Sequence, residues 1–328
     1  MGKKQYIKLP QISNQKIRQK YYTPESISHP AKANIPMMIW ILKKFVQDED
    51  IVLDLMCGIG TTIIEGMRLF PNSLFIGVEL EDKFVKMGRA NIRKVERIAK
   101  KDMFLKIGKA VCLQGDAKEL SQIMKKEVNK IVTSPPYSQK TEPFSSKSYL
   151  RIRKEIGRNT NQPSQKYIPY SQNQDNIGNL KHGKIDKVIT SPPYEEAMGK
   201  KHHSPANAKL TWEKKLPNIY TDNKNNIGNL KGKTYLGEML RVYKQCYKVL
   251  RPAGLMILIT KDFIRNKKRV RLGEDTIKLS EAAGFTFKEI YYRKIEHPSF
   301  WRINYQQKHP EVEKIDNEDI LVFGKEEK

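Results

Sequence analysis

The chain has 328 residues, with 61 Lys and Arg against 36 Asp and Glu, a formal net charge of +25 and a pI of about 9.7. Such a lopsided balance predicts an acidic polymer as partner, nucleic acid before any other. Three cysteines without CxxC spacing argue against a disulfide framework or a cysteine zinc site, no apolar run has membrane-span length, and "MGKKQYIKLPQ" has no apolar signal core, so a cytoplasmic protein without a signal peptide is expected.

Residues 1–27 are basic and polar and read as an arm, and "AKANIPMMIWILKKFV" (31–46) reads as a helix. "DIVLDLMCGIGTT" is a short apolar strand ending at Asp54, then a Gly-rich turn, and "TTIIEGMRLF" is the helix after it. "NSLFIGVELEDK" is a second buried strand ending in acid, and "KFVKMGRANIRKVERIAKK" a basic helix. "KAVCLQGDAKEL" is a third strand, ending at Asp116, and "VNKIVTSPPY" a fourth. The pattern resumes at "YLGEMLRVYKQCYKVLRPAGLMILITKD", a helix, a Pro-Gly turn and a fifth strand. "EDTIKLSEAAGF" is a helix, and "TFKEIYYRKI" and "DILVFGKE" are a final strand pair, with Phe300, Trp301 and Tyr305 between them expected to pack in the core. Near-continuous apolar strands alternating with helices predict a doubly wound, mostly parallel α/β sheet with a C-terminal β-hairpin. Ligands of such sheets sit at the carboxyl ends of the strands.

Between these halves the chain is rich in Asn, Gln, Ser and Lys and contains a repeat. Ser134-Pro135-Pro136-Tyr137 returns as Ser191-Pro192-Pro193-Tyr194, and "QDNIGNLKHGK" (174–184) returns as "KNNIGNLKGKT" (224–234). The expected organisation is an arm (1–27), a cofactor-binding half (28–137), a polar insertion for target recognition that includes the second SPPY strand (138–233), and a C-terminal half (234–328).

Gly58 and Gly60 between a strand and a helix let the backbone turn tightly and approach a ligand, and no Walker lysine follows them. Glu79 ends the next strand about twenty residues on, where an acid suits ribose hydroxyls. Asp116 ends the third and can accept from an adenine amine. Two consecutive prolines have no N–H and make a stiff turn with outward carbonyls. A serine oxygen and a proline carbonyl side by side suit an exocyclic amine, and the tyrosine offers a face for stacking on a base. The run Arg265, Lys267, Lys268, Arg269 and Arg271 is expected to meet phosphates. His202 and His203 have no acid or Cys cluster nearby, so no metal site is read.

"SHPAKANIPMMIWIL", "DLMCGIGTT", "GVEL", "GDA" and "TSPPY" together resemble the S-adenosylmethionine-dependent DNA amino-methyltransferases of the N4-cytosine/N6-adenine group, over residues 28–137 and 235–324. Leu55 stands where that family has Pro, and the doubled SPPY is not part of its ordinary pattern. The resemblance implies a Rossmann-like class I methyltransferase fold with S-adenosylmethionine as cofactor and DNA as partner; a cognate restriction endonuclease is a candidate partner that the sequence leaves open. It implies that Asp54, Gly58 and Gly60 cradle the methionine part, with Met56, Cys57, Thr61 and Thr62 in the same loop. Glu79 then takes the ribose and Asp116 the adenine, and His29 and Lys32 border the methionine pocket. Serine at the first SPPY position leans toward N4 of cytosine; an N6-adenine enzyme, an RNA amino-methyltransferase and a non-catalytic nucleic-acid-binding relic are the competing readings. Both SPPY copies are catalytic candidates, and the acid in "KIDKVITSPPY" favours the second.

Overall fold

In a computed structural model of the chain, residues 4–27, 33–127, 184–193, 225–296 and 300–327 are described. The chain divides into one unit made of Met1–Ile123 and His182–Lys328 and another made of Met124–Lys181, and the sheet lies in the first. Its elements begin with α1 (Asn14–Tyr21), α2 (Pro24–Ile27) and α3 (Ile35–Phe45). β1 (Ile51–Asp54), α4 (Thr61–Leu69), β2 (Leu74–Glu79), α5 (Asp82–Lys101) and β3 (Lys109–Gln114) follow. After a 3₁₀ turn at Ala117–Glu119 come α6 (Leu120–Glu127), β4 (Ile185–Thr190), a second 3₁₀ turn at Ile227–Asn229 and α7 (Gly232–Val249). β5 (Leu250–Thr260), β6 (Phe263–Arg265), β7 (Lys268–Val270), α8 (Leu272–Ala282), β8 (Thr286–Lys294), α9 (Phe300–Lys308) and β9 (Asn317–Gly324) complete it.

The main sheet has the order β3-β2-β1-β4-β5-β9-β8. Pairing is parallel from β3 through β5, and β9 runs antiparallel to both β5 and β8. This is the doubly wound Rossmann-like fold that the strand pattern predicts, with its antiparallel C-terminal pair. The order reverses at β1, whose two edges pair with β2 and β4, which places the ligand crevice beyond Asp54 and Thr190. The strand in that position is the one before the second SPPY; the first copy, and residues 138–183 and 194–224 of the insertion, lie outside the described residues.

Apolar side chains on both faces of the strands explain the layering, since β2 is buried along its whole length. α3 packs there because almost every side chain from Ile35 to Phe45 is apolar and buried, and Asn34 caps it through Oδ1 at 2.9 Å from the Met37 N–H. Polar anchors fix β4 in register. Asp186 accepts the Ile51 N–H at 2.8 Å and pairs with Arg251, and buried Lys187 pairs with Asp50 at 3.4 Å.

Three features differ from the sequence expectation. Residues 14–27 are helical rather than an arm: Tyr22 is fully buried, donates to Glu65 at 2.7 Å and lies under the Arg18 guanidinium, which donates to the Ala33 carbonyl. Their basic composition hid two aromatic anchors, Tyr21 and Tyr22. The last two strands are joined through helix α9, and its Tyr305 is exposed rather than in the core. The segment after β5 forms the β6–β7 hairpin, closed by Asn266 and Lys267, both at positive φ. Among the described residues no helix is long and apolar enough to cross a membrane.

At the start of β9, burial and the neighbouring Asp262 push the Asp319 carboxyl up to about 6 from 3.8. The folded state therefore holds a proton there that the unfolded chain has released, so this group's contribution to stability falls as pH rises from 4 to 6. Asp319→Asn should flatten the pH dependence of thermal unfolding across that window, where the wild type loses up to ~3 kcal/mol from this group. An unchanged slope would contradict the assignment.

Candidate cofactor and methyl-transfer site

The carboxyl ends of β1, β2, β3 and β4 surround a cavity of about 180 Å³. The loop after β1 forms one wall through Met56 and Gly58. Gly58 has φ 53°, and a Cβ there would meet nothing within 4 Å, so the backbone conformation rather than crowding favours glycine. Gly60, at φ 86°, caps α4 behind it.

Asp54 stands behind this loop rather than on the cavity wall. Its carboxylate accepts from Thr62 Oγ1 at 2.5 Å and from the Met56 N–H at 3.3 Å. It is buried, and burial raises its pKa against the pull of those donors. Cys57 also points away: its Sγ lies 3.7 Å from that of Cys112 in the core, and its thiol is pushed well up by that contact and by burial. Asp54, Cys57, Gly60, Thr61 and Thr62 thus shape the loop from behind, and Met56 and Gly58 face the cavity. His29 and Lys32 lie outside the described residues.

Glu79 ends β2 beside this loop. One carboxylate oxygen accepts the Gly58 N–H at 2.8 Å and the other the Glu81 N–H at 2.9 Å. Each oxygen retains a lone pair for a further donor. Burial raises its pKa, and the two backbone donors oppose that rise. Asp116 borders the cavity from β3, with Oδ1 capping the next turn at the Lys118 N–H and Oδ2 3.4 Å from Lys118 Nζ.

Ser191 and Pro193 complete the wall at the end of β4. The Ser191 hydroxyl donates to the Ile259 carbonyl at 3.4 Å, which leaves its lone pairs for an incoming donor. Pro192 is buried behind them, and Tyr194 lies outside the described residues. Phe84, Asn226 and Ile227 also line the cavity. The sequence marks Asn-Ile-Gly-Asn-Leu only as a repeat; its recurrence after each SPPY is the signal that could have tied it to the site.

The basic run after β5 is largely engaged by the protein's own acids. Lys267 pairs with Glu311 at 3.3 Å, Arg269 with Asp262 at 2.7 Å and with Glu313, and Arg271 with Glu274 at 3.3 Å. Arg265 lies 5.1 Å over the Phe263 ring, and Lys268 is exposed. Among the described residues no group of three or more His, Cys, Asp or Glu is arranged to hold a metal.

Residues 4–90 match the N6/N4-type DNA methylase family. No curated protein matches the chain. Similar solved structures include an S-adenosylmethionine-dependent methyltransferase from Methanosarcina mazei, 10% identical over 88% of this chain and 98% of that one, TM-score 0.41. Another is a TehB-like S-adenosylmethionine-dependent methyltransferase from Corynebacterium glutamicum, 8% identical over 88% and 87%, TM-score 0.38. The family match covers residues 4–90, which hold Met56, Gly58 and Glu79 of the cavity wall but not Asp116, Ser191 or Pro193.

Proposed function

We propose that the chain is a site-specific DNA methyltransferase acting on the exocyclic amine of a flipped base, with N4 of cytosine favoured over N6 of adenine. One observation carries this reading: Ser191 and Pro193 of the second SPPY line the same cavity as Glu79 and Asp116. An amine-accepting turn and two acids suited to a nucleoside therefore share one site, as transfer between two bound molecules requires.

The residues present fit S-adenosylmethionine. Glu79 has two oxygens, each with a lone pair left for a ribose hydroxyl, Asp116 stands one strand further along for the adenine amine, and the Met56–Gly58 backbone borders the remaining space. When bound, the cofactor supplies an electrophilic sulfonium methyl group. The chain's part is to make the amine reactive. A base's exocyclic nitrogen is a poor nucleophile because its lone pair is delocalised into the ring. Ser191 Oγ and the neighbouring proline carbonyl accept its two hydrogens, draw the nitrogen toward tetrahedral geometry and aim its lone pair across the cavity. Positioning does most of the work. The base must leave the duplex to reach this depth, and Tyr194 supplies a face for it to stack on. The net charge of +25 supports a polyanionic substrate. The insertion 138–233 is assigned to target recognition, and a restriction endonuclease recognising the same site is a candidate partner.

Three measurements check this reading. Glu79→Gln should weaken S-adenosylmethionine binding at least ~10-fold by calorimetry, because the amide keeps one acceptor where the carboxylate has two; a change under about twofold would remove Glu79 from the site. Tyr194→Ala should abolish methyl transfer to DNA, and Tyr137→Ala should leave some; equal loss in both, or loss in Tyr137→Ala alone, would transfer the catalytic role away from the second copy. Methylome sequencing of cells expressing the protein should show N4-methylcytosine at one recurring sequence. N6-methyladenine would overturn the base choice, and unmodified DNA would turn attention to RNA.

A further inference from the structure

Beside the cavity, the Tyr235 hydroxyl on the first turns of α7 donates to the Pro193 carbonyl at 2.8 Å. Tyr235 is 2% exposed, and the bond spans 42 residues of sequence. Pro193 is the second proline of the SPPY turn, and its carbonyl has no strand partner. A turn of two prolines offers no N–H of its own to the sheet, so it can be fixed only through its carbonyls and the serine. The Ser191 hydroxyl reaches Ile259 on β5, and Tyr235 holds the other end.

The segment leading to Tyr235 is itself built into the site. Asn226 Oδ1 accepts the Gly228 N–H at 3.0 Å, and Asn226 and Ile227 line the cavity that Ser191 and Pro193 border. Five residues after Leu230 comes Tyr235. In the first repeat, five residues after Leu180 comes Ile185, which is the first residue of β4 and is buried there. The two repeats share the SPPY and Asn-Ile-Gly-Asn-Leu motifs, and the position five residues after the second motif is Tyr235 in one and Ile185 in the other.

We propose that Tyr235 is a positioning residue for methyl transfer: its hydroxyl holds the Pro193 carbonyl so that Ser191 and the proline carbonyl before Pro193 face the amine. This rests on the DNA amino-methyltransferase reading for its catalytic part. The anchoring itself stands on the hydrogen bond. The ring of Tyr235 does not touch the reacting atoms in this account; it acts through the turn.

The test is Tyr235→Phe, which keeps the buried ring and removes the hydroxyl. Tyr243→Phe is the control, since Tyr243 is an equally buried tyrosine of α7 whose hydroxyl serves Thr276 instead. Three quantities are read on each full-length variant: the single-turnover rate of methyl transfer to unmethylated genomic DNA, the S-adenosylmethionine dissociation constant by calorimetry, and hydrogen exchange at the Ser191 amide. Tyr235→Phe should slow transfer about 10- to 100-fold. It should leave cofactor affinity within about twofold and raise exchange at Ser191, while Tyr243→Phe changes none of the three. Unchanged transfer and unchanged exchange in Tyr235→Phe would overturn the inference. So would weakened cofactor binding at an unchanged rate, which would make Tyr235 part of the pocket wall alone, or equal slowing in Tyr243→Phe, which would mark a general effect on α7. A wild-type protein that transfers no methyl to DNA, with exchange at Ser191 still rising in Tyr235→Phe, would refute the DNA reading and support the anchor.

Discussion

Pairing of Ile185–Thr190 along β1 is the contact on which the site depends. β1 is the strand at which the strand order reverses, so what lies beyond its second edge decides what faces the cofactor loop. A slip of one residue in β4 would exchange its two faces and displace the Ser-Pro-Pro turn by a strand step. Three polar contacts oppose such a slip: Asp186 with the Ile51 N–H, Asp186 with Arg251, and Lys187 with Asp50. The Lys187 pair is buried on both sides, and losing one partner would leave an uncompensated charge. These contacts pin register, which apolar packing alone would specify less sharply on a strand buried along nearly its whole length.

The acids at the strand ends have divided roles. Asp54 is enclosed and spends its acceptors on Thr62 and Met56, so it holds the loop in shape. Glu79 bridges the Gly58 and Glu81 backbones and still borders open space. Burial raises the pKa of both, and the donors aimed at them oppose protonation. A preorganised loop of this kind presents its backbone to a ligand without having to order on binding.

Much of the fold was legible because its strands are short, apolar and spaced by amphipathic helices. Asp54, Glu79 and Asp116 were legible as acids at strand ends. The finer division among them was not legible, since whether a strand-end acid faces a ligand or its own loop depends on donors such as Thr62 Oγ1 that are brought together by folding. Residues 14–27 were misjudged from their charge, because Tyr22 finds its partner, Glu65, 43 residues away. The pairing of the basic run at 265–271 with its own chain was not legible either: Glu311 and Glu313, its partners, lie about forty residues further along. The Asn-Ile-Gly-Asn-Leu repeat was visible as a repeat, but its place on the cavity wall required β4 and α7 to meet.

A crystal structure of the protein with S-adenosylmethionine bears most directly on the central claim, that the second Ser-Pro-Pro-Tyr is the methyl-transfer turn. The account predicts the ribose on Glu79, the adenine beside Asp116 and the sulfonium methyl group facing Ser191. A cofactor whose methyl group faced Ser134, or one bound away from Glu79 altogether, would contradict it.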